Sequence, residues 1–433
     1  MSQSPMKRTG FGACSDKEQG ERRGYRVKSL TAAELAILLG GSATIREILS
    51  EETTVGQLVE KYLKKEQTLD PGNDVPYHDV TILPAKEPSL LWQHDMKKCI
   101  DGNPLLFRHQ EEDYVVAASH SGIILCMNHT RQKLAWKHHL EGRRLEASPT
   151  LCGEKVVIGS YDGHLLVFDR LTGESLEGIY FKNCSIRGEA AWVHDVLFVV
   201  TYTQEKESPG AINMFRLRDR HLLSLPVAAG SPACPQIHDS VLYVTTIKGT
   251  IETFRFTIED EMSLTPIWKS SQLKAIFSPV CLDRDVLIAT SADGQIGQFN
   301  KSDGQMKTSV SLGEAFFSSV LSTSDAYLAA SQKGNVFVLD KTSLAPQRKF
   351  SFPQCSFVKT AVLLSGKILV LLSKDGRLLK TTLDSFLEEA PFSCPSYKIG
   401  TAEIFLEPRF TADALIIGCR DDYLRAFPLS DLI

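Results

Sequence analysis

Few residues in this 433-residue chain have the type and spacing that chemistry requires. Ten cysteines run from Cys14 to Cys419 without a Cys-x-x-Cys or an adjacent pair, which rejects a zinc ribbon or thioredoxin-like motif. His138-His139 could suggest a metal, but neighbours on a strand point to opposite faces, so both cannot chelate one ion. The pair reads as an exposed outer-strand feature. Asp421-Asp422, and the Asp162, Asp293 and Asp375 that precede glycines, read as turn chemistry rather than cation ligands. Trp92, Trp136 and Trp268 read as packing residues between strands. There is no Walker loop and no Gly-x-Gly-x-x-Gly between strand and helix; Gly10-Phe11-Gly12 lies in a polar tail. Spacing selects no catalytic triad, no acidic calcium loop appears, and no catalytic or metal-binding residue is assigned.

The composition is that of an ordinary soluble globular chain: 43% hydrophobic, 23% charged, and a formal net charge of −4. That balance disfavours a bulk-basic nucleic-acid binder. The longest apolar candidate, Ala361 to Leu372, is broken by Ser365, Gly366 and Lys367, so no membrane span is expected. The first residues lack the apolar core of a secretory signal. Reduced, mostly buried thiols in the cytoplasm are the expectation. Residues 1–28 carry seven Lys/Arg against three acids and almost no large aliphatics, which reads as a disordered tail.

From residue 89 onward one pattern recurs: a short β run, a tight turn with Gly, then an alternating run. Val156-Val157-Ile158-Gly159-Ser160-Tyr161-Asp162-Gly163 parallels Leu287-Ile288-Ala289-Thr290-Ser291-Ala292-Asp293-Gly294. The turn pivots fall at 122, 163, 210, 249, 294, 334, 376 and 422, with Asp422 replacing Gly at the last. Such turns need positive φ, which Gly, Asn and Asp reach most cheaply. A second signature runs in phase. Pro104, Pro149, Pro232, Pro279 and Pro408, with Ser319 in the equivalent place, precede their pivots by 14 to 18 residues. A period of roughly 43 residues with four short strands per unit describes propeller blades. The fold expected is all-β: an eight-bladed propeller over 89–433, with seven blades the alternative because the third unit is irregular.

The units resemble the quinoprotein-type (PQQ) repeat, with Asp169-Arg170-Leu171-Thr172-Gly173 matching its Asp-x-x-Thr-Gly turn; WD40 repeats are less similar. More specifically, three stretches resemble the C-terminal propeller of the β-alanine-activating enzymes. These are Lys98-Cys99-Ile100-Asp101, Arg144-Leu145-Glu146-Ala147-Ser148, and the closing Leu415 to Tyr423. Those enzymes belong to the acyl-CoA synthetase family and are also called aminoadipate-semialdehyde-dehydrogenase-like. The resemblance implies ATP-dependent activation of an amino or carboxylic acid by an adenylation domain, in β-alanine or fatty-acid metabolism. This chain has no adenylation domain. True quinoproteins add vicinal cysteines and calcium ligands, which this sequence lacks, so bound PQQ is not expected.

Before the propeller the period changes. Leu30, Ala33, Ile37 and Leu38 mark one helical face, and Val55, Leu58, Val59, Tyr62 and Leu63 another. Thr31-x-x-Glu34, Thr44-x-x-Glu47 and Thr54-x-x-Gln57 are capping boxes. The residues themselves make Ser29 a helix-boundary residue. Beside the family, 29–66 resembles the latter half of an acyl-carrier domain, and Ser29 then matches the serine that receives phosphopantetheine. Arg26-Val27-Lys28 replaces the Gly-Gly-Asp of that motif, and the first carrier helix is missing, as in a truncated product.

The expected organisation is therefore a tail over 1–28, carrier-like helices over 29–66, a linker over 67–88 and the propeller over 89–433. The expected function is a non-catalytic binding and scaffold propeller of an acyl-activating enzyme, offering a face to a protein partner or acyl acceptor. A stand-alone interaction propeller with a vestigial carrier is the alternative, and a quinone-dependent oxidoreductase ranks below both.

Overall fold

The computed structural model describes residues 75–203, 209–359, 362–388 and 391–432. The chain divides into two units at Leu69, and the described residues lie in the second, Asp70–Ile433. Ser29 and the carrier-like stretch 29–66 lie outside the described residues.

Eight sheets form, one per repeat. Blades 1 to 7 span 105–139, 150–180, 184–227, 236–270, 281–311, 321–351 and 362–398. Blade 8 takes three strands from 409–428 and its outermost strand, Trp92–Asp95, from the other end of the chain. Trp92 pairs antiparallel with Ala426 and Asp95 with Tyr423, so one sheet joins the two ends of the propeller. Eight blades, not seven, is the count.

The middle strands are buried on both faces: Ile123–Asn128 is buried along its whole length, as is Ala326–Ala330. Each sheet is sandwiched between two neighbours, so these strands read as continuous apolar runs. Fourth strands such as Ser175–Tyr180 alternate between exposed and half-buried. The apolar clusters follow the same logic. Val156, Ile158 and Phe168 of blade 2 pack with Val116 and Ile124 of blade 1. Val370, Ile416 and Val115 unite blades 7, 8 and 1.

The pivots are the turns between second and third strands. Gly122, Gly163, Gly249, Gly294, Gly334 and Gly376 have φ between +80° and +92°, and Asp422 adopts +75°. A buried Ser, Thr or Cys three residues earlier closes each turn; Gly163 N, for example, donates to Ser160 O at 3.1 Å. Gly210 departs from the expectation. It opens the strand Gly210–Arg216, and a Cβ there would meet the Ala229 backbone at 2.6 Å. Close backbone approach, not turn geometry, explains that glycine.

The expected linker also contains strands. Tyr77–Asp79 adds in parallel to the outer strand of blade 6, and Thr81–Pro84 to that of blade 7. Val80 between them is 1% exposed and packs beside Phe350 and Cys394. The outer edge of a blade offers unpaired backbone groups, and this segment covers two such edges. Two helices, Leu383–Leu387 and Leu429–Leu432, are the only ones among the described residues, and none is long and apolar enough to cross a membrane.

Candidate functional site

The site is built by the connectors that run from the last strand of one blade to the first strand of the next. Seven of the eight carry an apolar plug, Ile100, Leu145, Ile186, Ile276, Phe316, Phe357 and Ile404, all at most 3% exposed, and the connector from blade 3 to blade 4 has the buried Ser231 in that place. Plug and neighbour are clipped to two blades at once. Leu145 N donates to Ser119 O of blade 1 at 3.3 Å, while Tyr161 N of blade 2 donates to Arg144 O at 2.9 Å. The same clip joins Ile276 to Thr246, and Ala292 to Ala275. With the plug fixed between blades, the residues just after it are carried to the first strands, where the blades converge.

Those residues enclose a cavity of about 370 Å³, fed by the connectors into seven of the eight blades. Its walls carry both signs of charge: Asp101, Glu146, Glu189 and Glu407 against Arg187, Lys359 and Arg409. Burial pushes the Glu189 carboxyl above its ordinary value, with Arg409 and Lys359 pulling it part of the way back. Arg187 is held between the rings of Tyr161 and Tyr202, 4.7 and 4.6 Å from its guanidinium carbon, and donates to the Tyr161 hydroxyl at 3.0 Å. Its Nε is buried without a hydrogen-bond partner. Arg409 Nε donates to Pro104 O at 3.3 Å. Cys234 also lines the cavity, but burial raises its thiol well above the ordinary value, so it is a poor nucleophile. Fixed carboxylates beside a guanidinium and an ammonium suit recognition of a small polar ligand bearing both charges.

The residues singled out from sequence lie elsewhere. Trp136 sits on the last strand of blade 1, and its Nε1 donates to Arg170 O in the turn of blade 2 at 2.9 Å. Trp268 does the same toward Lys301 O, also at 2.9 Å, and Trp92 Nε1 reaches His129 Nδ1 at 3.0 Å. The indoles thus join neighbouring blades. A Cβ on Gly173 would lie 2.6 Å from the Trp136 ring, which gives the glycine of the Asp-x-x-Thr-Gly turn its reason. His138 lies 2.6 Å from Gly173 O and stacks on Phe168, whereas His139 is exposed and approaches Ser121 O. Asp162, Asp293 and Asp375 bond within their turns or to Arg143 and Arg377. Asp421 accepts from Tyr423 N within its turn at 3.3 Å, as the turn reading expects, and in addition pairs with Arg425 at 2.8 Å and accepts from Thr401. Burial pushes its carboxyl up, but these partners outweigh burial and hold it at about 2.

The cavity residues escaped the sequence reading, although the in-phase prolines mark them: Pro232 and Pro279 themselves line the cavity. Two of the three stretches that carried the family resemblance, 98–101 and 144–148, are connectors of this kind.

Comparison with known structures places the fold among propellers. At 15% identity and TM-score 0.60, the chain resembles the computationally designed Ika8 protein, over 79% of this chain and 100% of that one. The same score and identity relate it to BamB from Moraxella catarrhalis, over 79% and 99%. The C-terminal WD40 domain of Sif2 matches at 14% identity and TM-score 0.60, again over 79% and 99%. Comparison with curated protein sequences finds no match. The family described as beta-alanine-activating enzyme, beta-propeller, matches residues 96–429, from just after the closing strand Trp92–Asp95 to the end of Tyr423–Pro428, and the chain belongs to that family.

Proposed function

We propose that this chain is a binding and scaffold propeller serving an ATP-dependent enzyme that activates amino or carboxylic acids, with no adenylating chemistry of its own. The observation that carries the reading is the cavity at the convergence of the blades, where acids and bases face one another in a member of this family. A β-alanine moiety offers an ammonium to Glu146, Glu189 or Glu407 and a carboxyl or acyl oxygen to Arg409 or Lys359. The cavity is larger than free β-alanine, which leaves room for part of an arm delivering it as an acyl group. Ser29 is the position at which such an arm, phosphopantetheine, would be attached. The propeller would then present the activated group to an acceptor or protein partner. The nine described cysteines are free thiols, which fits a cytoplasmic setting.

The test is the size of the native polypeptide, read by immunoblot with an antibody against the propeller. A band well above 48.0 kDa supports covalent attachment to the activating enzyme. A band only at that mass, with no activating enzyme recovered by the same antibody, supports the stand-alone interaction propeller instead.

A further inference from the structure

A second cluster lies where blade 8 meets blade 1. Cys99 and Asp101 flank the plug Ile100 on the first connector, so alternation sends both side chains away from the buried plug, toward the same side. His120 is the second residue of the blade 1 pivot turn, and its backbone N donates to Cys99 O at 3.0 Å. The clip that fixes the blades therefore also fixes thiol against imidazole. Cys99 Sγ lies 3.1 Å from His120 Nδ1, and His120 Nε2 lies 3.2 Å from Asp101 Oδ2. The His120 and Asp101 side chains are 10% and 12% exposed. Arg420 donates to both Asp101 oxygens at 2.8 Å, which locks the carboxylate in place. Burial pushes Asp101 up, yet His120 and Arg420 outweigh it and hold the group ionised, at about 2.

Six further clips show that the fold does not require these residues. The pairs there are Arg144 with Tyr161, Gly230 with Ile247, Ala275 with Ala292, Ala315 with Gln332, Ser356 with Lys374, and Glu403 with Arg420. None combines a thiol with an imidazole. Beside the cluster opens a cavity of about 480 Å³ lined by Lys98, Cys99, His120, Arg144, Arg420 and Asp422. Arg420 is already paired with Asp101 and Glu403, and Arg144 with Glu146, so the charge left for an anionic ligand is the Lys98 ammonium together with the guanidinium N–H groups those pairs leave open.

We propose that Cys99 is a nucleophilic thiol with His120 as its general base and Asp101 as the positioning residue, in a site that accepts an acyl group from an anionic activated donor. Cys99 Sγ attacks the carbonyl carbon, forming an S–C bond as the bond from that carbon to the leaving group breaks. The Sγ proton passes to His120 Nδ1 and then to the leaving group, and Lys98, Arg144 and Arg420 hold the donor's negative charge. Burial and the Asp101 charge raise the Cys99 thiol, while Arg420 and Arg144 draw it down, so a protonated thiol needs the base beside it. The three ligand atoms lie within 4.8 Å of one another and could also face a metal ion. Arg420 already donates to both Asp101 oxygens, however, and its guanidinium beside them disfavours a metal dication. Asp101 also lines the binding cavity, but the Cys99–His120 contact rests neither on that cavity's ligand nor on the family.

The experiment treats the full chain, after chelator washing, with acetyl phosphate and separately with iodoacetate and iodoacetamide, and maps adducts by peptide mass spectrometry. Cys99 should be acetylated in preference to Cys184 and Cys281, and the adduct removed by hydroxylamine. Its preference for iodoacetate over iodoacetamide should exceed that of glutathione, and Arg144→Ala should reduce it. His120→Ala should slow Cys99 at least about tenfold with an unchanged melting temperature. Asp101→Asn should displace the pH profile of the Cys99 rate, which a merely structural residue would leave in place. Labelling of Cys99 no faster than of Cys184, or no effect of H120A in a folded variant, would overturn the proposal. Stoichiometric zinc retained by Cys99 and His120 would overturn it in favour of a metal site.

Discussion

At the scale of single residues, the cavity stores an unfavourable carboxyl. Glu189 is withdrawn from water, and its folded-state value lies above the ordinary 4.5 despite Arg409 and Lys359. As pH rises past 4.5 the unfolded chain loses this proton first, so the folded state holds more protons and stability falls with further increase. Glu189→Gln removes that dependence. The variant should melt at a higher temperature than the parent at about pH 8, with the difference shrinking toward about pH 4; thermal melts across this range are the check. An unchanged difference would mean that Glu189 is ionised and fully compensated. Composition could not reveal this residue, because its character comes from the connectors that surround it and not from its sequence neighbours.

At the scale of elements, the blade repeat was legible because turn chemistry and strand pattern are local. The pivot glycines, and Asp422 in their place, could be read from the need for positive φ alone. Gly210 was misread because a glycine can mark close backbone packing within a strand as well as a turn. Tyr77–Asp79 and Thr81–Pro84 were illegible for a different reason. They are three and four residues long, lie beside Pro76 and Pro84, and gain their partners only from blades more than 260 residues later. Val80 is the buried anchor between them. Val80→Asp places a charge there and should cost about 3 kcal/mol or detach the segment. Limited proteolysis should then cut near residues 77–84 before the blades; cleavage no faster than in the parent would show that the segment is held without Val80.

At the scale of the whole molecule, eight repeats close through a sheet shared by both ends of the propeller, and function falls to residues the repeat does not specify. The pattern that fixed the blades says where the connectors run but not that Glu146, Glu189, Glu407, Arg187, Lys359 and Arg409 converge, since they come from different blades. Cys99, His120 and Asp101 were hidden similarly: two lie on the first connector and the third in a turn 21 residues from Cys99. The most direct measurement is calorimetric titration of the full chain with the proposed amino-acid ligand, its N-acetyl derivative and its methyl ester. Saturable one-to-one binding of the amino acid is expected, weaker with either charge removed, and abolished by Arg409→Gln. No saturable heat, or binding of either derivative as tight as that of the amino acid itself, would contradict a cavity built to read both charges.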